Sequence, residues 1–100
     1  MIQCAPVKLI HWNEVETEQL NPLLSRQVIH GDLITAARLL LKKGAVVPRH
    51  SHPNEQMTFL EKGRLRFVFD DGDVLVAAGE TMQIRPGLPH GVEALEDSCA

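Results

Sequence analysis

Two kinds of residue that often mark a compartment or a partner are scarce in this chain of 100 residues. Only two cysteines are present, Cys4 and Cys99, and they lie near opposite ends without the close spacing of zinc ligands. We therefore predict free thiols in a reducing cytoplasm, with neither a disulfide nor a thiolate metal site. Basic residues are also in the minority: the chain has 10 lysines and arginines and 13 aspartates and glutamates, and the basic residues form no continuous stripe. This balance argues against nucleic acid as the partner.

Long apolar runs are missing as well. The longest one, around residues 39–41, is bounded by charged residues and is far shorter than the ~20 apolar residues of a membrane-spanning helix. The first residues also lack the pattern of a secretory signal peptide, so we expect no membrane partner. Neither an internal repeat nor a linker is visible. We therefore predict one domain over residues 1–100, with an N-terminal arm (1–22) and a barrel (23–100).

Short apolar segments separated by turns make up most of the chain. Residues 64–69 alternate most clearly, because Leu65, Phe67 and Phe69 share one parity and the two arginines share the other. The Asp-Asp-Gly-Asp sequence at 70–73 is typical of a hairpin turn, since aspartate and glycine tolerate turn backbones. The chain therefore consists largely of strands joined by tight turns.

Seven or eight such strands, spaced by about ten residues, predict an all-β sandwich or barrel. A single helical turn is expected in residues 13–18, where Asn13 provides a cap. These strands are 24–29, 33–41, the histidine-bearing stretch after Gly44, 57–60, 64–69, 74–77, 81–84 and 92–95. A further short edge strand is expected at 7–11, in the N-terminal arm. Because small barrels fill their interior with side chains, we expect the core or pocket wall to include Met57, Phe59, Phe67, Phe69, Met82 and Ile84.

The most distinctive stretch is 44–63, which contains His50 and His52 two residues apart. On a strand, this spacing sends both imidazoles from one face, and Gln56 has the same parity. Neutral imidazole is a common ligand of divalent first-row metals, although a His-x-His pair by itself is more often two surface histidines. A third histidine, His90, follows a Pro-Gly turn. Three histidines and one amide oxygen, borne by two strands, therefore form a candidate metal site.

These residues resemble two motifs of the cupin superfamily. The first, Gly-xxxxx-His-x-His-xxx-Glu-xxxxxx-Gly, is complete over 44–63 except that Gln56 stands at the glutamate position. The second is matched in part by Gly79, Gly87 and His90, whereas Arg85 and Ala94 replace its proline and asparagine. The resemblance covers about residues 28–98 and implies a double-stranded β-helix, the jelly-roll barrel of cupins. Carried over residue by residue, it implies that the metal ligands are His50, His52, Gln56 and His90.

Glutamine at position 56 changes the chemistry that the resemblance implies. An all-neutral ligand set leaves the full positive charge on a divalent ion, which favours binding and polarising an oxygen-rich substrate over activating dioxygen. The implied cofactor is one divalent transition metal, because Ni, Mn, Fe, Co and Zn all suit three imidazoles and an amide. Two alternatives stay open: Glu55 replaces Gln56 as the ligand, or the histidines cap the barrel without a metal.

A narrower resemblance is to small cupins of the pectin-degradation (KdgF) type, in the segments HSHPNEQ (50–56) and HGVEALEDS (90–98). That group implies metal-dependent opening and isomerisation of unsaturated uronates, so the expected partner is a small sugar acid. Those relatives continue into a strand with substrate-binding residues, whereas this sequence ends at Ala100, so the resemblance implies that the final strand of the barrel is missing or shortened. Arg85 as a carboxylate anchor and Asp97 as an acid are the candidates here, against the plain alternative of solvated rim residues.

Two other functions stay open at this point. A metal-dependent dioxygenase fits the same fold, although the missing carboxylate ligand weighs against it. A non-catalytic binding or sensory barrel fits the missing terminal segment. In each case we expect a homodimer, because the exposed edges of such small sheets are commonly covered by a second chain.

Overall fold

The computed structural model of the protein describes residues 7–100, which form ten short strands and a single 3₁₀ turn at Trp12–Glu14. No helix in this part of the chain is long and apolar enough to cross a membrane. The strands are β1 (Glu18–Asn21), β2 (Leu24–His30), β3 (Thr35–Leu41), β4 (Val46–His50), β5 (Gln56–Phe59), β6 (Arg64–Phe69), β7 (Gly72–Ala77), β8 (Thr81–Ile84), β9 (His90–Ala94) and β10 (Ser98–Cys99).

The strands form antiparallel sheets. One sheet has the order β1-β2-β3-β10, a second has the order β4-β9-β6-β7, and β5 pairs with β8. The backbone N–H groups of Glu61 and Lys62, which follow β5, donate to the carbonyl oxygen of Cys99 in β10. The segment after β5 is thus hydrogen-bonded to the edge of the first sheet, and β5-β8 remains a separate two-stranded sheet. The predicted all-β jelly-roll barrel is confirmed.

The core contains the inward side chains of both layers. In β6, Leu65 and Phe67 are 2% and 1% exposed, whereas Arg66 points outward and donates to Glu93 at 3.1 Å. This is the alternation that the sequence predicts for residues 64–69. The other buried apolar residues of this cluster are Leu24, Leu41, Ala45, Leu60, Val76, Ile84 and Ala94.

The N-terminal segment is held against β2 by one buried glutamine. Gln27 is 6% exposed, and its Nε2 donates to the carbonyl oxygens of Trp12 at 2.6 Å and Val15 at 2.9 Å. Residues 7–11 form no strand, contrary to the expectation from sequence, and the helical turn begins at Trp12. A strand that the sequence did not predict, β1, lies within the predicted arm and pairs with β2.

Two of the expected core residues lie on the outer surface. Met57 and Phe59 are 51% and 63% exposed, so the expectation that they fill the core is wrong. The reason is the alternation of β5, in which Gln56 and Thr58 take the partly buried positions and the apolar residues take the exposed ones. The inner face of β5 therefore carries polar groups, and these belong to the candidate site.

Candidate metal centre

His50 faces the barrel interior because of an irregularity in β4. Val47 pairs with Val92 and His50 with His90, so two residues of β4, Pro48 and Arg49, lie opposite a single residue of β9. One extra residue of this kind is a β-bulge, and it reverses the alternation of the strand. Directly paired residues share one face of a sheet. The bulge thus places His50 on the same face as His90, whereas Arg49 points away and pairs with Asp70 at 2.9 Å.

The residue opposite the bulge is Gly91, and the space around it explains the glycine. A Cβ atom built at Gly91 would lie 3.1 Å from the carbonyl oxygen of Val47 and 3.4 Å from the backbone nitrogen of Arg49. Both contacts are with backbone atoms, which cannot rotate away. The absent side chain at Gly91 therefore allows the bulge that orients His50.

His52 lies beyond the end of β4, in the loop that leads to β5. The loop is held by a hydrogen bond in which the backbone N–H of Gly87 donates to the carbonyl oxygen of His52 at 2.7 Å. The sequence placed His50 and His52 together on one strand face. The structure brings them together through a bulge and a loop instead, with their ring centroids 5.7 Å apart.

The three histidines converge on one point. Their ring centroids lie 4.5 Å (His50 to His90) and 5.3 Å (His52 to His90) apart, and one ring nitrogen of each lies within 4.8 Å of the others. Burial increases across the cluster, from exposed His50 through partly buried His52 to buried His90. The cluster therefore extends from the solvent into the barrel, which leaves one side of it accessible.

Each imidazole is held in the same way through its Nδ1 atom. The Nδ1 atoms of His50, His52 and His90 lie 2.8, 2.9 and 2.9 Å from the carbonyl oxygens of Pro48, Asn54 and Leu88, each two residues away along the chain. Because a carbonyl oxygen can only accept, each Nδ1 carries the proton and donates it. In the neutral ring, Nε2 is then the atom with a free lone pair. Such backbone partners fix the orientation and tautomer of histidines that bind metals.

The Nε2 atom of His90 has no hydrogen-bond partner, although it is buried. An unpaired buried acceptor of this kind costs about 1 to 3 kcal/mol of stability. A cation bound to this nitrogen would remove that cost. Burial, and to a smaller extent the neighbouring His50 and His52, lower the pKa of His90 below its ordinary value of 6.5. His90 is therefore neutral near pH 7, which is the protonation state that a metal ligand needs.

Gln56 is the fourth polar group at this point. Its Oε1 atom lies 2.9 Å from Nε2 of His52, and its Nε2 atom donates to the hydroxyl of Thr58 at 2.9 Å. Because Nδ1 of His52 already donates to Asn54, two acceptors face each other across this short distance. A cation or a proton between them resolves the repulsion. The donor set of three imidazoles and one amide oxygen thus fits a divalent transition metal.

Aromatic side chains form the wall beside His90. The ring centroids of Phe67 and Phe69 lie 6.5 and 6.3 Å from that of His90. An apolar wall excludes water from the buried side of the site and strengthens the electrostatic interactions there. The polar chemistry is thereby confined to the histidines and Gln56.

The other candidates from the sequence lie in different surroundings. Glu55 accepts a hydrogen bond from Nε2 of Gln83 at 2.7 Å, and the histidine cluster does not include it. Arg85 is exposed and directly follows Ile84, the partner of Gln56 in the β5-β8 pair. Asp97 accepts from the backbone N–H of Lys43 at 2.8 Å and lines a cleft of about 340 Å³ that contains none of the histidines. Of the two candidates for substrate chemistry, only Arg85 thus adjoins a residue that pairs with Gln56, the fourth polar group of the site.

Two contributors to the site were not identified from the sequence. Thr58 was included only as part of an apolar strand, and Gly91 only as part of a motif. The spacing of Gln56 and Thr58 by two residues was available as a signal, because it places both on one strand face. The role of Gly91 depends on a pairing with β4 that no local pattern predicts.

A cupin domain family model matches residues 37–100, which is more than half of the chain. The chain is a cupin. The predicted resemblance to this superfamily is therefore confirmed. Comparison with curated protein sequences finds no significant match.

Solved structures of other cupins share the fold at low sequence identity. KdgF from Halomonas sp. has a TM-score of 0.78 at 22% identity, over 87% of this chain and 83% of that one. An RmlC-like cupin from Shewanella frigidimarina has a TM-score of 0.76 at 19% identity, over 90% of this chain and 82% of that one. The Lactobacillus farciminis oxalate decarboxylase in complex with formate has a TM-score of 0.75 at 18% identity, with 90% of this chain covering 30% of that one. At these identities the comparison establishes the barrel architecture.

Proposed function

We propose that this cupin is a divalent-metal-dependent enzyme that acts on a small sugar acid, by KdgF-like opening and isomerisation of unsaturated uronates. The observation that carries the proposal is the set of three imidazoles that donate through Nδ1 to the backbone and leave Nε2 for a shared ion, with Nε2 of His90 buried and unpaired. The structural similarity to KdgF from Halomonas sp. supports the choice of substrate class.

The ligands in this proposal are His50, His52, His90 and Gln56. A divalent metal bound there would supply Lewis acidity towards a hydroxyl or carbonyl oxygen. All four ligands are neutral, so they do not reduce the positive charge that a substrate carboxylate or hydroxyl meets. The exposed side of His50 leaves the approach from solvent open.

Arg85 is our candidate for binding the substrate carboxylate. It precedes the Pro86-Gly87 turn, and the backbone N–H of Gly87 donates to the carbonyl oxygen of His52 at 2.7 Å, so the turn is attached to the loop that carries His52. A guanidinium can bind a carboxylate through two parallel hydrogen bonds. Asp97 has no such placement, since its carboxylate is engaged by the backbone of Lys43.

The direct test is turnover of the proposed substrate. Protein loaded with a divalent metal is incubated with unsaturated galacturonate, and the loss of absorbance of the unsaturated ring is followed against buffer and against the His52→Ala variant. We expect acceleration by the wild type only, and a raised KM for Arg85→Met. Metal-loaded protein that gives no acceleration would contradict the proposal. Dioxygen consumption on a phenolic substrate would point to a dioxygenase instead.

A second candidate function is a non-catalytic binding or sensory barrel. It is favoured by the position of Asp97, the expected acid, whose carboxylate is used in a turn contact beside another cleft. Calorimetric titration of the metal-loaded protein with galacturonate, together with the turnover assay above, separates the two functions. Tight binding without turnover favours the binding barrel, and turnover excludes it.

We also propose that the protein is a cytoplasmic homodimer. The turn between β2 and β3 presents Leu33 and Ile34, which are 96% and 77% exposed, and large apolar side chains at a hairpin tip are suited to burial against a second copy. The buried free thiol of Cys99 suits a reducing compartment, whereas Cys4 lies outside the described residues. Native mass spectrometry tests the dimer: the wild type should give twice the chain mass, and Leu33→Lys should give the monomer.

A further inference from the structure

The cleft of about 340 Å³ beside Asp97 lies on the β1-β2-β3-β10 sheet and contains none of the histidines. Its lining follows the strand pairing. Ser25 of β2 pairs with Leu40 of β3, and Leu40 pairs in turn with Cys99 of β10. Beyond the sheet edge, Cys99 pairs with Lys62. Because directly paired residues share one face of a sheet, these four side chains form a row along the cleft, whose volume is within the range of small-molecule sites, about 300 to 1,000 Å³.

Ser25 contributes an unused hydroxyl to this row. The residue is only 9% exposed and lines the cleft. Gln19, which pairs with it from β1, donates its amide nitrogen to the carbonyl oxygens of Asn21 and Leu24 instead. The Ser25 hydroxyl thus has no hydrogen-bond partner within residues 7–100. A polar group that is withdrawn from water without a partner is stabilised when a ligand supplies one.

Two lysines add unpaired positive charge to the cleft. Lys42 directly follows β3, and Lys62 precedes β6. Every ion pair found in residues 7–100 uses an arginine, so neither ammonium group is paired with a carboxylate there. The acidic residue of the lining is Asp97, which accepts from the backbone N–H of Lys43. Two ammonium groups and one carboxylate leave the lining with a net positive charge of one.

We infer that this cleft is a second binding site, independent of the metal, for a small monocarboxylate with an apolar body. The single net charge matches one carboxylate, which the two lysines attract and to which the Ser25 hydroxyl donates. The exposed side chains of Leu23 and Leu40 provide an apolar lining for the body of the acid. A phosphate dianion fits less well, because its second negative charge would have no counterpart. The inference does not depend on the proposed metal function, since the cleft shares no residue with the histidine cluster.

The probe is benzoate, and neutral benzamide is the control for its apolar body. The isotope-labelled full chain is treated with a chelator and titrated with each compound, while the backbone amide shifts are followed by NMR. We expect saturable shifts at Ser25, Leu40 and Cys99 with benzoate, and roughly tenfold weaker binding of benzamide, which lacks the charge. Shifts confined to the surroundings of His50 and His90, or no saturable shifts at all, would overturn the inference. Equal affinity for the two probes would overturn it as well.

Substitutions in the cleft test each polar group separately. Lys42→Met and Lys62→Met keep the apolar stem and remove the ammonium group, so each should weaken benzoate binding about twofold to fivefold. Ser25→Ala should weaken it about tenfold through the loss of one hydrogen bond to a charged group. Lys43→Met is the matched control, because Lys43 does not line the cleft, and it should bind benzoate like the wild type. Wild-type affinity in all three cleft variants, or equal weakening in Lys43→Met, would refute the assignment; the NMR spectrum of each variant verifies its fold.

Discussion

Replacing His90 with leucine is expected to stabilise the metal-free protein, although it removes a proposed metal ligand. The imidazole is 1% exposed and lies between the other two histidines and the rings of Phe67 and Phe69, yet its Nε2 has no hydrogen-bond partner. A residue that lowers stability in the absence of a ligand is typical of a functional site. The leucine side chain has a similar volume and buries no polar atom.

The magnitude follows from two opposing contributions. Removing the unpaired buried nitrogen relieves about 1 to 3 kcal/mol, and losing the bond from Nδ1 to the carbonyl of Leu88 costs about 0.5 to 1.5 kcal/mol. The Leu88 carbonyl belongs to an exposed residue and can bind water instead. The net gain in the free energy of unfolding is therefore about 1 kcal/mol, which corresponds to a rise in Tm of about 4 to 8 °C for a chain of this size.

The assay is urea and thermal unfolding at pH 7.5 after removal of metal with a chelator. The matched control is Gln27→Leu, the same new side chain at another buried polar position. Because Gln27 makes two hydrogen bonds, to Trp12 and Val15, its loss should cost about 1 to 3 kcal/mol. The two variants should thus shift Tm in opposite directions. If His90→Leu destabilised the protein as much as Gln27→Leu, the argument from the unpaired nitrogen would be refuted.

Three further predictions concern pH, the bulge and the charge of the site. Burial lowers the pKa of His90 below 6.5, so the unfolded chain binds more protons than the folded chain as the pH falls through that value. The free energy of unfolding of the metal-free protein should therefore be highest above pH 6.5 and decline below it. Urea unfolding at a series of pH values measures this, and His90→Leu should show a shallower decline than the wild type. Gly91→Ala places a Cβ 3.1 Å from the carbonyl oxygen of Val47, and this overpacking should lower the free energy of unfolding by about 1 to 3 kcal/mol. It should also displace His50, so the Zn²⁺ affinity should fall. If neither the stability nor the affinity changed, the account of the bulge would be contradicted. Gln56→Glu adds a negative ligand and should raise calorimetric Zn²⁺ affinity by about tenfold or more, whereas an equal or lower affinity would argue that this side chain is not a ligand.

The sequence predicts the barrel and the composition of the site better than it predicts the way the site is built. The alternation of residues 64–69 is local, so β6 could be predicted with its bounds. β1 and β10 contain four and two residues, and their place in the sheet comes from pairing with β2 and β3, not from a pattern of their own. Short edge strands of this kind depend on contacts that are distant in sequence.

The convergence of the histidines shows the same limit. The two-residue spacing of His50 and His52 suggested a single strand face, but the parity of His50 is set by the bulge opposite Gly91, about forty positions further along the chain. Met57 and Phe59 were expected inside because they are apolar, whereas the inner face of β5 carries the polar side chains of the site. A functional site can reverse the usual rule that apolar residues lie inside. The assignment of Gln56 as an inward ligand already implied an outward Met57 and Phe59 by strand alternation, but their apolar character argued for the opposite face.

The central claim is that three imidazoles and one amide oxygen hold a divalent metal, and its most direct test is the metal content of the protein purified without an affinity tag. Elemental analysis by mass spectrometry, followed by Zn²⁺ titration of chelator-treated protein, should give about one divalent ion per chain for the wild type. The His52→Ala variant should retain far less. A wild-type protein that is free of metal and still binds none after exposure to divalent salts would contradict the account.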